Sequence, residues 1–134
     1  MKTTTMKILS ILFLLPVIAL TLSCQGQSGV QKLSADNFEK KLASTADKIV
    51  LDVRTADEFK DGHLAKATMI DYYSSDFKNQ VNQLDKTKPV FVYCAGGVRS
   101  GKASSILTQL GFKEVYDLQG GFNAWTAARK PVER

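Results

Sequence analysis

One cysteine in this chain sits where its sulfur could react. Cys94 follows the apolar run Pro89-Val90-Phe91-Val92-Tyr93 and precedes Ala95-Gly96-Gly97-Val98-Arg99-Ser100. The run reads as a strand and the residues from Ser100 onward as a helix, so the thiol stands at a strand end ahead of a short loop. Adjacent glycines reach backbone conformations closed to other residues. They can turn successive N–H groups towards the sulfur as an anion-binding nest. The following helix adds the positive end of its dipole, and Arg99 adds a permanent cation. All three favour the thiolate, which is the nucleophilic form. A strand-end cysteine taken alone is more often simple packing. The loop composition reverses that reading and makes Cys94 the candidate nucleophile, with Ala95, Gly96, Gly97, Val98 and Arg99 as its loop.

A few polar residues near other strand ends are candidates for support. Asp52 can hold Arg99 or Arg54 through a bidentate pair. Glu58 can do the same, or it can merely close a capping box with Thr55. Asp52, Arg54 and Glu58 are therefore expected to brace the site. A carboxylate acting directly beside a thiolate would oppose its ionisation. His63 is the only histidine, so a cysteine hydrolase would need it within hydrogen-bond reach of Cys94. Trp125 lies in an apolar helix and reads as core. One histidine and one nearby cysteine make a poor metal-ligand set, so no metal site is expected.

Elements of alternating type must position these residues. Ser34 can N-cap a helix with Phe38 and Leu42 on one face. Lys48 to Val53 is a compact strand, and Thr55-Ala56-Asp57-Glu58 opens a short helix that stops near Gly62. A weaker strand is expected around Ala67 to Asp71, a helix over Ser75 to Leu84, and the strongest strand at Pro89 to Tyr93. A helix from Ser100 to Leu110, closed by Gly111, leads to a strand at Glu114 to Leu118. Phe122 to Ala128 forms a last helix after Gly120-Gly121. The pattern predicts an α/β fold: a central parallel sheet of about five strands with helices on both faces. Binding sites in such sheets lie beyond the carboxyl ends of the strands, where these polar clusters fall.

The N-terminus reads differently. Lys2 and Lys7 precede the uncharged apolar run Ile8 to Leu22, which ends at Ser23-Cys24. That pattern is a secretory signal, too short for a comfortable membrane span of about 20 residues. Leu20-Thr21-Leu22-Ser23-Cys24 resembles a bacterial lipobox, although Thr21 departs from its commonest form. The expected organisation is a signal peptide over 1–23, a lipidated Cys24 with a flexible tether over 24–31, and one domain over 32–134. Such a protein would be exported to the cell envelope, held on the membrane by its lipid and facing the periplasm. Cys94 is then the sole thiol of the folded domain, and a disulfide to Cys24 would require the tether to fold back. Without Lys2 and Lys7 the formal charge of +5 becomes about +3, with the charges interspersed. Nothing points to nucleic acid.

Three segments resemble the rhodanese family. Leu51-Asp52-Val53-Arg54-Thr55-Ala56-Asp57-Glu58-Phe59, followed by Gly62-His63-Leu64, is similar to its first signature. Val92 to Ser100 is similar to its active-site strand and loop, and Leu118-Gln119-Gly120-Gly121-Phe122-Asn123-Ala124-Trp125 to its C-terminal signature. Ala65-Lys66 departs from a Pro-Gly pair common in the family. The resemblance implies a rhodanese fold and sulfur transfer through a Cys94 persulfide, with no metal or organic cofactor. The donor would be thiosulfate, another small sulfur donor or a protein persulfide; the acceptor would be cyanide or a thiol. It also implies a purely structural turn at His63. Related phosphatases and arsenate reductases carry five residues between Cys and Arg, whereas four separate Cys94 from Arg99, too small a cradle for a tetrahedral oxyanion. Rhodanese modules that only bind a partner protein commonly lack the cysteine, while a redox-sensing thiol would retain it.

Overall fold

The computed structural model describes residues 29–134. The signal peptide expected over 1–23, Cys24 and the first tether residues lie outside the described residues. In chain order the elements are β1 (Gly29–Leu33), α1 (Ala35–Ser44), β2 (Ile49–Asp52), α2 (Ala56–Asp61), β3 (Thr68–Met69), α3 (Phe77–Asn82), β4 (Val90–Tyr93), α4 (Val98–Gln109), β5 (Glu114–Leu118) and α5 (Gly121–Ala127). The strands form one sheet in the order β1-β5-β4-β2-β3, every pair parallel. β4 is its centre, and all four of its residues are buried.

A parallel sheet must hide both faces, and two apolar clusters do so here. On one face Phe77, Val81, Ala103 and Leu107 from α3 and α4 pack against Val90, Val92 and Val115. On the other, Phe38 of α1 and Trp125 of α5 pack against Phe91, Tyr93 and Tyr116. Phe38 meets Phe91 and Trp125 edge-on, with centroids 5.3 and 6.2 Å apart, and the Trp125 indole N–H donates to the Pro131 carbonyl at 2.9 Å. The strand order also locates a crevice. β2 leads outward to β3 and β4 leads the opposite way to β5, so the chain reverses direction between β2 and β4. Ligands bind at such a switch point, outside the strand ends.

One boundary needs correction. Gly29 to Gln31 were expected in the tether, yet they belong to β1, which pairs in register with β5 from Gly29 opposite Glu114 to Leu33 opposite Leu118. β1 is an edge strand whose middle residues are exposed. Its stability comes from the hydrogen-bond ladder to β5, which leaves no trace in hydropathy. Several other elements differ by a few residues: β3 is reduced to two residues, α3 is shorter than expected, and α4 starts two residues early. The turn at Ala65-Lys66 puts Lys66 at φ +58°, a left-handed conformation that costs any residue with a Cβ about 1–2 kcal/mol.

Candidate active site

Cys94 leaves β4 directly and is buried to 1% exposure. The Gly97 N–H donates to its Sγ at 3.0 Å, because Gly97 adopts φ +107° as the N-cap of α4. That φ lies in the left-handed region, so the glycine is required there. Gly96 is different: its φ is not left-handed and an added Cβ would meet nothing within 4 Å. Only Gly97 of the pair turns the backbone. The first-turn amides of α4, Val98, Arg99 and Ser100, have no acceptor among the described residues, as expected of a helix start. The Ser100 hydroxyl lies 3.5 Å from Sγ.

The loop is held from behind by α5. The N–H groups of Phe122 and Asn123 donate to the carbonyls of Cys94 and Ala95 at 2.7 and 3.0 Å. Gly121 makes this approach feasible: its φ is +60°, and a Cβ would collide with both carbonyl oxygens. The C-terminal Gly-Gly pair is therefore where close backbone approach is demanded.

The supporting residues sort into two separate devices. Asp52 pairs with Arg54: Nε reaches Oδ1 and Oδ2 at 3.0 and 3.1 Å, and Nη2 reaches Oδ2 at 2.7 Å. Nη2 also donates to the Gly62 carbonyl at 2.6 Å, and the guanidinium lies 4.1 Å over the Phe122 ring. Burial is the largest single influence and works against the Arg54 charge, but the hydrogen bonds and charge of Asp52 together with Tyr93 outweigh it, and the net shift is upward. Arg54 thus fastens the ends of β2 and α2 to α5. Glu58 performs both of its expected tasks. It closes the capping box with Thr55, and its two oxygens accept from Arg99 Nη1 and Nη2 at 2.8 and 2.7 Å. The Arg99 hydrogen bonds are the main reason that the Glu58 carboxyl falls to about 2. Arg99 accordingly pairs with Glu58, not with Asp52.

His63 stacks on Phe59 at 3.8 Å, meets the Phe59 carbonyl through Nδ1 at 3.0 Å and lies 3.7 Å from Glu133. These partners hold a turn and place nothing beside Cys94. No group of three or more metal-ligating side chains occurs among the described residues, and no helix among them is long and apolar enough to cross a membrane. A cavity of about 470 Å³ between Leu42, Val50, Leu64 and Trp125 is lined by none of residues 94–99. The rim of the site carries two exposed apolar side chains, Val98 and Tyr73, with the Tyr73 ring 5.5 Å from the Arg99 guanidinium.

Sequence reasoning placed Gly121 in a strand-end turn and Ser100 at a helix start without giving either a role at the site, and it did not single out Asp117. Ser100 was legible as the residue after Arg99, at the start of a helix that faces the sulfur. Asp117 was legible as a lone acid in an otherwise buried strand.

A parallel sheet with a cysteine held by a backbone amide beyond its central strand defines a cysteine-centred α/β domain. The chain belongs to the Rhodanese-like domain family, whose profile matches residues 34–128. It is 41% identical over 76 residues to YqhL of Bacillus subtilis, a match covering 57% of this chain and 59% of that protein. It is 37% identical over 87 residues to the thiosulfate sulfurtransferase GlpE of Coxiella burnetii, covering 65% of this chain and 79% of the other. Among solved structures it resembles a rhodanese-related protein of Thermoplasma volcanium at 29% identity and a TM-score of 0.68, covering 77% and 97% of the two chains.

Proposed function

We propose that this protein is a sulfurtransferase that carries sulfane sulfur on Cys94. The Cys94 thiolate attacks the outer sulfur of a donor such as thiosulfate; the S–S bond to the sulfonate breaks and sulfite leaves with the bonding pair. The terminal sulfur of the resulting persulfide is then taken by a nucleophilic acceptor, cyanide or a thiolate, which regenerates the Cys94 thiolate. The observation that carries this reading is the Gly97 N–H at 3.0 Å from Sγ, a fixed donor aimed at the charge of the thiolate that begins the first step and is regenerated by the second. Arg99 turns its Nη1 and Nη2 to Glu58, and the side chains of Ala95, Gly96, Gly97 and Val98 are uncharged, so in this reading donor recognition rests mainly on backbone amides. That suits a protein persulfide or a small organic donor as well as thiosulfate.

Cys94→Ser tests the reaction, since a serine hydroxyl is far less acidic and holds no persulfide. The folded variant is expected to produce no thiocyanate from thiosulfate and cyanide above the uncatalysed rate, and mass spectrometry of the wild type to find one added sulfur on Cys94. Thiocyanate formation by Cys94→Ser at the wild-type rate would refute the reading. The proposed location is the cell envelope, with Cys24 lipidated and the domain facing the periplasm. It is supported by the Lys2-to-Cys24 sequence pattern alone. Membrane fractionation should find the chain with the membrane and Cys24→Ala released from it.

A further inference from the structure

The cavity of about 470 Å³ beside α1 and α5 has no part in the sulfur chemistry. Its floor is apolar and firmly packed: Val50 of β2, Leu64 and Trp125 belong to one core cluster, and none is more than 6% exposed. Leu42 of α1 and Pro131 extend the apolar lining. The Trp125 indole N–H fixes the Pro131 carbonyl at 2.9 Å, so this wall is held in place. The volume lies in the range of about 300–1,000 Å³ usual for small-molecule sites.

The charged residues of the wall differ in their commitments. Glu39, Asp47, Lys48 and Lys66 all line the cavity. Both acids are engaged by cations from outside the lining: Glu39 pairs with Lys130, and Asp47 with Lys88 at 2.8 Å. Neither lysine has a carboxylate partner among the described residues. Lys48 Nζ donates to the Thr45 carbonyl at 2.8 Å, which uses one of an ammonium group's three hydrogens and leaves its charge unpaired. Lys66 stands exposed on the turn before β3. Glu133 reaches its backbone N–H at 3.4 Å, and not its ammonium group. The wall therefore offers two uncommitted cations above an apolar floor.

We propose that this cavity is a second binding site, for a small amphipathic anion: one alkyl chain of about six to ten carbons ending in a carboxylate. The chain lies on Val50, Leu64 and Trp125 and gains by leaving water. The head faces Lys48 and Lys66, the two charges of the wall that folding leaves without a counterion. A cationic head finds no such welcome, because Glu39 and Asp47 are already paired. The inference goes beyond the proposed function and does not use Cys94.

Trp125 is the only tryptophan of the chain, so its fluorescence and its indole N–H resonance report occupancy from the floor itself. Titrating the full-length protein with octanoate in detergent-free buffer should shift both signals, saturating by about 10 mM. Affinity should rise about twofold per methylene from butanoate to octanoate. Octyltrimethylammonium, with the same chain and the opposite charge, should bind about tenfold more weakly. Lys48→Gln combined with Lys66→Gln should weaken octanoate about fivefold and leave the neutral 1,2-octanediol unchanged. Three results overturn the proposal: no saturable response to octanoate, equal affinity for the cation and the anion, or a folded double variant that binds octanoate as wild type does. If the double variant does not fold, the comparison of cation and anion in wild type decides. Self-association that Ala43→Glu abolishes, with no response to octanoate, would give the cavity to a second copy of the chain and overturn the proposal too. Sulfur transfer enters none of these readouts, so its failure would count against the proposed function alone.

Discussion

The Cys94 loop has a carboxyl group on each side, in opposite circumstances. Glu58 is a third exposed and fully engaged: two hydrogen bonds to Arg99, and further ones to Thr55 at the start of its own helix. Asp117 is 2% exposed and leaves an oxygen without a partner. The directions of their pKa shifts follow from this contrast. Arg99 holds the Glu58 carboxyl down to about 2, whereas burial pushes Asp117 upward. The outer acid is an ionised strut that fixes the helix start carrying Arg99. The inner acid is desolvated, which disfavours its charge. A carboxylate is not a role by itself, and its partners decide what it does.

The strongest way to break the contrast is to displace the loop that both sides frame. Gly121→Ala places a Cβ against the carbonyls of Cys94 and Ala95. It should destabilise the fold by about 1–3 kcal/mol through overpacking. It should also cut sulfur transfer about a hundredfold, the usual worth of one well-placed anion donor. Denaturant unfolding and a thiocyanate assay read the two effects, and wild-type turnover would show that the loop does not depend on α5.

The outer strut alone should matter less. Arg99→Lys retains the charge and loses the planar fork. Turnover is expected to fall about tenfold and stability by about 1 kcal/mol, close to Arg99→Ala, because geometry more than charge is at stake. A double-mutant cycle of Arg99→Ala with Glu58→Ala should return a coupling of about 1 kcal/mol; additive losses would dissolve the strut.

The smallest effects are pH dependences, and they sharpen the contrast by differing in sign. Glu58 is lowered from 4.5 to about 2, so its contribution is complete above pH 4.5 and fades as pH falls towards 2. The stability advantage of wild type over Glu58→Gln should close in that acid window. Asp117 is raised, so it binds a proton more tightly when folded, and stability is lost as pH rises through its folded value. Asp117→Asn should therefore remove a loss of stability that in wild type sets in as pH rises above about 3.8 and is complete above the folded value.

Much of this was legible in the chain. Apolar runs on both sides of polar strand ends gave away the parallel sheet, since a strand covered on both faces must be apolar throughout. The order Cys94, Gly96-Gly97, Arg99, helix is local, so loop N–H groups could be expected near the sulfur, and the structure shows one of them, from Gly97. The capping box from Thr55 to Glu58 is local too. Gly96 was misjudged because composition shows where a glycine stands and not which φ it adopts. β1 escaped because an edge strand is stabilised by a ladder to residues more than eighty positions away, with little burial of its own.

What the tertiary structure alone decided is the set of long-range partners. Two arginines and two acids crowd the same strand ends, and spacing cannot say that Arg54 turns to Asp52 while Arg99 reaches Glu58. That choice depends on where α2 and α4 lie across the β2–β4 crevice. The demand for glycine at position 121 likewise exists only because α5 presses on a loop formed some 27 residues earlier in the chain. Asp117 reads locally as one acid in a strand, and only the packing of α4 over β5 removes its water. Local sequence determines backbone shape and periodicity, because those depend on neighbouring residues. Charge partners, close approaches and desolvation are properties of surfaces brought together by folding.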